Sequence, residues 1–268
     1  MLLPGFGAFN SPLIEAVAVF FMPLAGVNFA LCFLVWKKRS LGVLLRDVEA
    51  RYFAGPMFGT VLLVAVYLRF KGVYPSFAES LRHAAFSVVS IATTTGFATV
   101  DYAQWPIFAP VFMLFLCSFA TCAGSTGGGI KLIRSLLLLQ KQALRELTCI
   151  VHPRAVVPVT FGGAVVPPQV MQSVLAFMLV YGVVMTAVCM LLLISCMDLV
   201  TAATATIACI DNTGPGLGQV GPSGNCQGLS DFQTSVCTFA MMLGRLGRLG
   251  RLELRSVLVL FTPAFWRK

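Results

Sequence analysis

Long apolar segments alternate with short polar ones along the whole chain. Residues 13–36 and 170–197 are apolar runs long enough to cross a bilayer, and residues 53–68 form a shorter one. Two further apolar stretches, 106–139 and 232–265, contain glycines or arginines. The pattern predicts five membrane-crossing helices.

Two other apolar runs, 81–92 and 199–210, are each about a dozen residues long. They are too short to cross ~30 Å of hydrocarbon but suit a re-entrant helix that ends inside the membrane. Each runs into a polar turn that contains glycine. The chain therefore repeats one unit of helix, re-entrant helix, glycine turn and helix, and such a repeat describes the whole fold.

The two turns contain the candidate ion-binding residues. Irregular backbone at membrane depth survives only where it is buried in protein or lines water. Carbonyl and hydroxyl oxygens there can replace the hydration shell of a cation. Either turn alone is equally consistent with an ordinary polar loop, and their repetition favours a cation pathway. The candidates are Thr94, Thr95 and Gly96 in the first turn and Asn212, Thr213 and Gly214 in the second.

A glycine-rich segment, AGSTGGGIK, interrupts the stretch 106–139. It is superficially similar to a phosphate-binding loop, but it lacks the GK[ST] ending that such a loop needs. Two interpretations stay open: a close-packing glycine patch, and a flexible intramembrane loop that gates the pathway. We favour the gate, because each glycine disfavours helix by about 1 kcal/mol relative to alanine. The gating candidates here are Gly124, Gly127, Gly128, Gly129 and Lys131.

The last apolar stretch contains arginines at spacings of three and four, which place them on one side of a helix. An arginine at membrane depth is expected to face a bundle interior or water. A voltage sensor shows similar spacing, but Gly247 and Gly250 weaken this helix. Arg255 is expected to reach the cytoplasmic interface. The gating candidates in this stretch are Arg245, Arg248 and Arg251.

Composition identifies an integral membrane protein. The 268 residues are 58% hydrophobic and 11% charged, with a mean hydropathy of +0.88, whereas soluble domains carry roughly 25% charged residues. The net charge of +9 does not indicate nucleic-acid binding, because most basic residues lie between apolar spans on one side, the cytoplasmic side by the positive-inside rule. The surroundings predicted for the chain are therefore membrane lipid.

Cysteine and histidine supply no catalytic or metal-binding pattern. The nine cysteines contain no CxxC spacing, and neither His83 nor His152 pairs with a nucleophile. We therefore expect no disulfide, no metal cluster, no bound cofactor and no enzymatic activity.

Six segments together resemble the potassium-translocating subunits of the bacterial Trk/Ktr family, which is related to plant HKT transporters, and most of all its TrkH-like proteins. They are NSPLIE (10–15), SIATTTGF (90–97), CAGSTGGGIK (122–131), NTGPGLG (212–218), GLSDF (228–232) and LFTPAFW (260–266).

The resemblance implies an all-α membrane fold of repeated M1-pore helix-M2 units around one pore. Residues 1–50 would end the second unit, 51–155 would form the third, and 156–268 the fourth. Potassium would bind at Thr94, Thr95, Asn212 and Thr213, and the glycine-rich segment would be the family's gating loop. The family has one arginine below the filter, and the repeated LGR leaves its identity open among Arg245, Arg248 and Arg251.

The resemblance also implies function and partners. The expected function is potassium uptake across the bacterial inner membrane by a multi-pass, pore-forming subunit. Expected partners are a second copy of the subunit and a cytosolic, TrkA-type regulatory subunit that binds the nucleotide. The alternative is a truncated or assembly subunit that does not conduct, because two of the family's four filter strands are absent and Met1 opens abruptly on a sequence typical of the middle of a longer protein.

Overall fold

The structure is a computed structural model that describes residues 5–9, 11–40, 42–152, 158–161, 164–224 and 226–246. The described fold is almost entirely helical, as predicted. The helices are α1 (Pro12–Gly26), α2 (Phe29–Lys38), α3 (Gly42–Arg46), α4 (Val48–Phe70), α5 (Phe77–Ala92), α6 (Phe108–Cys117), α7 (Leu132–Leu136), α8 (Ala143–Val151), α9 (Pro168–Ile194), α10 (Leu199–Ile210) and α11 (Asp231–Leu246). A π-helical segment, Leu137–Gln142, joins α7 to α8, and strands β1 (Thr160–Phe161) and β2 (Ala164–Val165) pair antiparallel.

The predicted repeat is present as α4–α5–α6 and α9–α10–α11. Helix α10 has the predicted bounds, and Asp198 begins it by accepting hydrogen bonds from two backbone amides of its first turn. Helix α5 begins at Phe77, four residues before the predicted start. The Ser76 hydroxyl accepts from the amide of Glu79 at 3.2 Å, so a segment that reads as a polar loop is a capped first turn.

The predicted continuous span 13–36 is wrong, because the structure breaks it into α1 and α2, which are bent by 106°. Val27 and Asn28 between them have extended backbones. The Asn28 side chain accepts from the amide of Ala30 at 2.9 Å and begins α2 as a new helix.

The interruption in the stretch 106–139 is longer than predicted. Helix α6 ends at Cys117, and irregular backbone continues from Ser118 to Lys131. We call residues 118–131 the intramembrane loop. Its two ends are joined by a hydrogen bond from the Ile130 amide to the Ser118 carbonyl at 2.8 Å, so the chain closes on itself without helix. The predicted connection after residue 139 is largely helical as far as Val151.

Only some of the five predicted spans are single helices. Among the described residues, α4 and α9 are the two helices long and apolar enough to cross a membrane, and the bent pair α1–α2 adds a third if counted as one span. Helix α6 stops after 10 residues at the intramembrane loop. Helix α11 is described for 16 residues, and the rest of the predicted helix lies outside the described residues.

The re-entrant helices form the centre of the fold. Most of α5 and α10 is buried, whereas α9 is mainly exposed, as expected of a helix in contact with lipid. A bidentate ion pair joins α5 to α1: the Arg82 guanidinium donates to both carboxylate oxygens of Glu15 at 2.6 and 2.7 Å. This ion pair holds the first half of α5 against α1, and the two glycine turns follow the last residues of α5 and α10.

Candidate cation pathway

The two glycine turns have the same backbone conformation, 118 residues apart. Thr94 and Asn212 have φ of 55° and 53°, which is uncommon for residues other than glycine. Two positions later, Gly96 and Gly214 also have positive φ, at 79° and 108°. We call residues 93–97 the first turn and residues 211–215 the second turn.

Corresponding hydrogen bonds hold both turns to the ends of their helices. The Thr95 amide donates to the Ser90 carbonyl at 2.8 Å, and the equivalent Thr213 amide donates to the Ala208 carbonyl at 3.0 Å. The amides of Thr94 and Asn212 likewise bond to the carbonyls of Ile91 and Cys209. The repeat predicted from the sequence is therefore a repeat of backbone geometry.

The two turns lie directly against each other. A Cβ atom on Gly96 would overlap the carbonyl oxygen of Thr213 and would lie 3.3 Å from the Pro215 ring. Gly96 thus needs both its positive φ and the absence of a side chain. The structure brings the six predicted ion-binding residues together, in two adjacent segments of irregular backbone.

A cleft of about 240 Å³ opens beside both turns. Gly96 and Gly214 both line it, so the glycines of the two turns border one space. The remaining lining residues are Gly5, Phe97, Ala98, Pro215, Val220, Gly221, Pro222, Gly224 and Cys226. Such a cleft is what the mouth of a shared pathway requires.

Several predicted ligand side chains already bond to protein. The Thr94 hydroxyl accepts from the Gly128 amide at 2.9 Å, and the Thr213 hydroxyl lies 2.9 Å from the Cys117 thiol. The Asn212 side chain donates to the carbonyl of Met241 at 3.1 Å. These side chains hold the turns in place, which favours backbone carbonyls as the groups offered to a cation.

The intramembrane loop occupies the space between the first turn and the bend of α1–α2. At one end, its Gly128 amide donates to Thr94. At the other, the amides of Cys122 and Thr126 donate to the carbonyls of Gly26 and Ala25 at 3.2 and 3.3 Å. The loop thus connects a candidate filter turn to the broken helix α1–α2.

Two charged side chains fix the same loop. Glu49 accepts from the Ala123 amide at 2.6 Å, and the Lys131 ammonium donates to the Gly127 carbonyl at 2.8 Å. The Glu49 side chain is buried. Sequence reasoning missed Glu49, because an acidic residue at the start of a helix ordinarily indicates only a favourable helix end.

The loop glycines make close contacts. A Cβ atom on Gly127 would overlap the Thr121 side chain, and one on Gly129 would lie 2.8 Å from the Ser118 carbonyl oxygen. Gly124 has φ of 72° and faces the Asn28 side chain. These contacts support the close-packing interpretation, while the gating role remains a prediction.

Sequence reasoning also missed Asp211, which it placed in the second turn without a role. Its side chain is completely buried and accepts hydrogen bonds from the hydroxyls of Ser118 and Tyr181, both at 2.8 Å. The available signal was a carboxylate directly after the apolar run 199–210. An acidic residue inside a membrane segment is a functional candidate by default.

The structure describes one of the three candidate arginines in the last helix. Arg245 is exposed near the described end of α11, one residue after Gly244, where a Cβ atom would overlap the Ile210 carbonyl oxygen. Helix α11 therefore packs directly on the end of α10. Arg248 and Arg251 lie outside the described residues.

Comparisons with known proteins find relatives over nearly the whole chain. Residues 4–267 match the TrkH family, described as a cation transport protein. The chain is 38% identical over 262 residues to the Trk system potassium uptake protein TrkH of Escherichia coli strain K12, and 36% identical over 263 residues to TrkG of the same strain. These alignments cover 98% and 97% of this chain and 52% of each relative. The chain thus spans about half the length of the curated relatives it matches.

The fold has a solved counterpart. It matches the crystal structure of the potassium transporter TrkH from Vibrio parahaemolyticus with a TM-score of 0.87 and 36% sequence identity. The match covers 98% of this chain and 55% of that one.

Proposed function

This chain belongs to the TrkH family, and we propose that it forms the third and fourth units of a potassium-selective pathway. In this proposal, residues 51–155 and 156–268 each contribute one filter strand, and residues 1–50 end the second unit. The contact between Gly96 and the Thr213 carbonyl carries the proposal, because it places two repeated turns of irregular backbone side by side. The relatives named above for potassium uptake support potassium as the ion.

Dehydrated potassium would be held by the carbonyl oxygens of Thr94, Thr95, Asn212 and Thr213, with Gly96 and Gly214 giving the turns their shape. Two further filter strands would complete the ring. The protein would be a multi-pass component of the bacterial inner membrane, surrounded by lipid. Potassium would be the transported ion, and the proposed mechanism requires no cofactor on this chain.

The intramembrane loop would regulate the flow. Its bond from Gly128 to Thr94 links it to the filter, and Lys131 holds the Gly127 carbonyl. Movement of the loop would open or close the pathway under the control of a cytosolic, nucleotide-binding subunit of the TrkA type. Arg245, Arg248 and Arg251 are the candidates for the family's arginine below the filter, and pairing of two copies would follow the two-fold symmetry usual among homo-oligomers.

The test is rescue of potassium uptake in cells. A strain without potassium uptake systems would produce this chain together with the first half of the Escherichia coli relative, and growth on low potassium and rubidium uptake would be measured. We expect rescue by the unchanged chain. We expect Gly96→Ser to abolish uptake or admit sodium, because the added side chain would collide with the Thr213 carbonyl.

Gly72→Ser is the matched control, since Gly72 also has positive φ, at 69°, but has open space around its Cβ position. Both substitutions impose the same kind of backbone strain, and only one lies at the filter. Equal uptake by the two variants would contradict the proposed filter, as would a lack of rescue by the unchanged chain.

A further inference from the structure

A hydrogen-bonded cluster behind the second turn joins three different helices. At its centre, the buried carboxylate of Asp211 follows the last residue of α10. The Ser118 hydroxyl, just after α6, donates to one carboxylate oxygen, and the Tyr181 hydroxyl, in α9, donates to the other. We call Asp211, Ser118, Tyr181 and Cys117 the Asp211 cluster.

The cluster reaches the candidate filter through Cys117. This thiol is completely buried and lies 2.9 Å from the Thr213 hydroxyl and 3.5 Å from the Asp211 carboxylate. Thr213 is itself buried, and its carbonyl oxygen is the atom that Gly96 approaches. The position of one filter residue is thus set by contacts with α6.

The same carboxylate also meets the intramembrane loop. A Cβ atom on Gly129 would lie 3.0 Å from a carboxylate oxygen of Asp211, so the loop backbone passes directly beside it. The Ile130 amide donates to the carbonyl of Ser118, whose hydroxyl donates to Asp211. The second turn, the intramembrane loop and α9 are therefore all held together at the Asp211 side chain.

The first turn is held differently. Thr93 occupies the position equivalent to Asp211, and its hydroxyl bonds to the carbonyl of Val89 and to the hydroxyl of Thr95, both at 2.8 Å. Those partners belong to its own helix and turn. Among the described residues, Thr93 thus bonds only within its own helix and turn, whereas Asp211 bonds to residues of two other elements. The two turns have the same backbone conformation but different side-chain hydrogen bonds.

We propose that Asp211 is a positioning residue for cation selectivity, which fixes the second turn against α6 and α9 through Ser118 and Tyr181. This inference rests on the proposed potassium pathway. A filter distinguishes cations by where its oxygens are held. A buried polar group that loses a hydrogen-bond partner costs about 1–3 kcal/mol, so the two hydroxyl donors hold the Asp211 side chain in one position.

The first test measures the accessibility of Cys117, which does not depend on transport. Tyr181→Phe and Ser118→Ala each remove one hydroxyl and add no bulk. In membranes containing the full chain, the rate of Cys117 modification by N-ethylmaleimide would be measured by mass spectrometry. We expect about tenfold faster modification in the double variant, because two hydrogen bonds to the buried Asp211 side chain are lost.

Control variants distinguish local loosening of the Asp211 cluster from unfolding of the whole protein. Tyr67→Phe and Ser173→Ala are matched substitutions outside the cluster, since the Ser173 hydroxyl donates within its own helix. Cys32, in α2, packs against a hydrophobic group that includes neither Ser118 nor Tyr181, and we expect its modification rate to stay unchanged in the double variant. Unchanged modification of Cys117, or equally increased modification of both thiols, would overturn the positioning role.

The second test measures selectivity in the rescue strain described above. We expect Tyr181→Phe to lower the ratio of rubidium to sodium uptake about fivefold, the equivalent of one hydrogen bond of about 1 kcal/mol. The control Tyr67→Phe should keep the ratio. Faster Cys117 modification with an unchanged uptake ratio would overturn the selectivity role alone. If the unchanged chain transported neither ion, the proposed function and the selectivity role would both fail, and the thiol measurement would still decide whether Asp211 positions the turn.

Discussion

The backbone amide of Gly128 lies 2.9 Å from the hydroxyl oxygen of Thr94, and this hydrogen bond joins the intramembrane loop to a candidate filter turn. A loop that only filled space would need no polar contact with the filter. Because a buried amide without an acceptor costs about 1–3 kcal/mol, the loop has a defined resting position.

Removing this acceptor is expected to release the loop. Thr94→Val keeps the side-chain shape but cannot accept from Gly128. We expect rubidium uptake that depends less on the cytosolic partner, measured in the rescue strain with and without that partner. Thr238→Val, which removes a hydroxyl bonded within α11, is the control. If rubidium uptake by Thr94→Val still depended on the cytosolic partner as strongly as uptake by the unchanged chain, this hydrogen bond would not restrain the loop.

The loop glycines allow a test of packing against gating. Gly127→Ala would place a methyl group on the Thr121 side chain, so we expect a lower melting temperature for the purified protein in detergent. Adding Thr121→Ser removes the colliding methyl and keeps the hydroxyl that donates to Gly128 at 2.7 Å, so stability should partly return.

Gly59→Ala is the comparison for this series. Gly59 lies inside α4 with open space at its Cβ position, and alanine there should stabilise the helix by up to about 1 kcal/mol. If Gly127→Ala changed the melting temperature in the same way as Gly59→Ala, the close-packing interpretation would be wrong. Partner-independent uptake in the triple alanine variant of Gly127, Gly128 and Gly129 would support the gate.

The two filter glycines are expected to differ in their tolerance of alanine. Both have positive φ, but only Gly96 faces the other turn, whereas the Cβ position of Gly214 is open. Gly96→Ala should therefore abolish rubidium uptake, and Gly214→Ala should reduce it through backbone strain of about 1–3 kcal/mol. An equal loss of rubidium uptake in both variants would mean that the contact between the turns does not determine which residues are tolerated at these positions.

We expect the purified chain alone not to conduct. In the proposed arrangement the complete pore has four filter strands, of which this chain would contribute two. Two copies around a two-fold axis would supply four, but the third unit would then meet the fourth in place of its usual neighbour. Potassium-loaded liposomes containing only this chain would be assayed for flux. Potassium-selective flux that Gly96→Ser abolishes would instead establish a self-paired pore.

Local patterns predicted the repeated elements well. The bounds of α10 follow from an apolar run between two aspartates, and both turns follow from threonine, asparagine and glycine at the ends of short apolar runs. The pairing of the turns follows from the repeat itself. These features depend on residues near one another in the sequence, which is why the sequence sufficed.

Features that depend on distant partners were not predictable in this way. Residues 13–36 are almost uniformly apolar, and the bend at Val27 and Asn28 coincides with hydrogen bonds from the intramembrane loop roughly a hundred residues later. Asp211 likewise finds its partners in α9 and at the end of α6. A polar residue in an apolar context signals that a partner exists, but the fold decides which one.

The bend between α1 and α2 has a consequence for biosynthesis. The carbonyls of Ala25 and Gly26 receive their hydrogen bonds from Thr126 and Cys122, residues that the ribosome adds about a hundred positions later. Until then these oxygens need other donors, because an unsatisfied polar group at membrane depth costs several kcal/mol. The bend between α1 and α2 therefore takes its final form only after residues 122–126 have been synthesised, and we expect it to form late in folding.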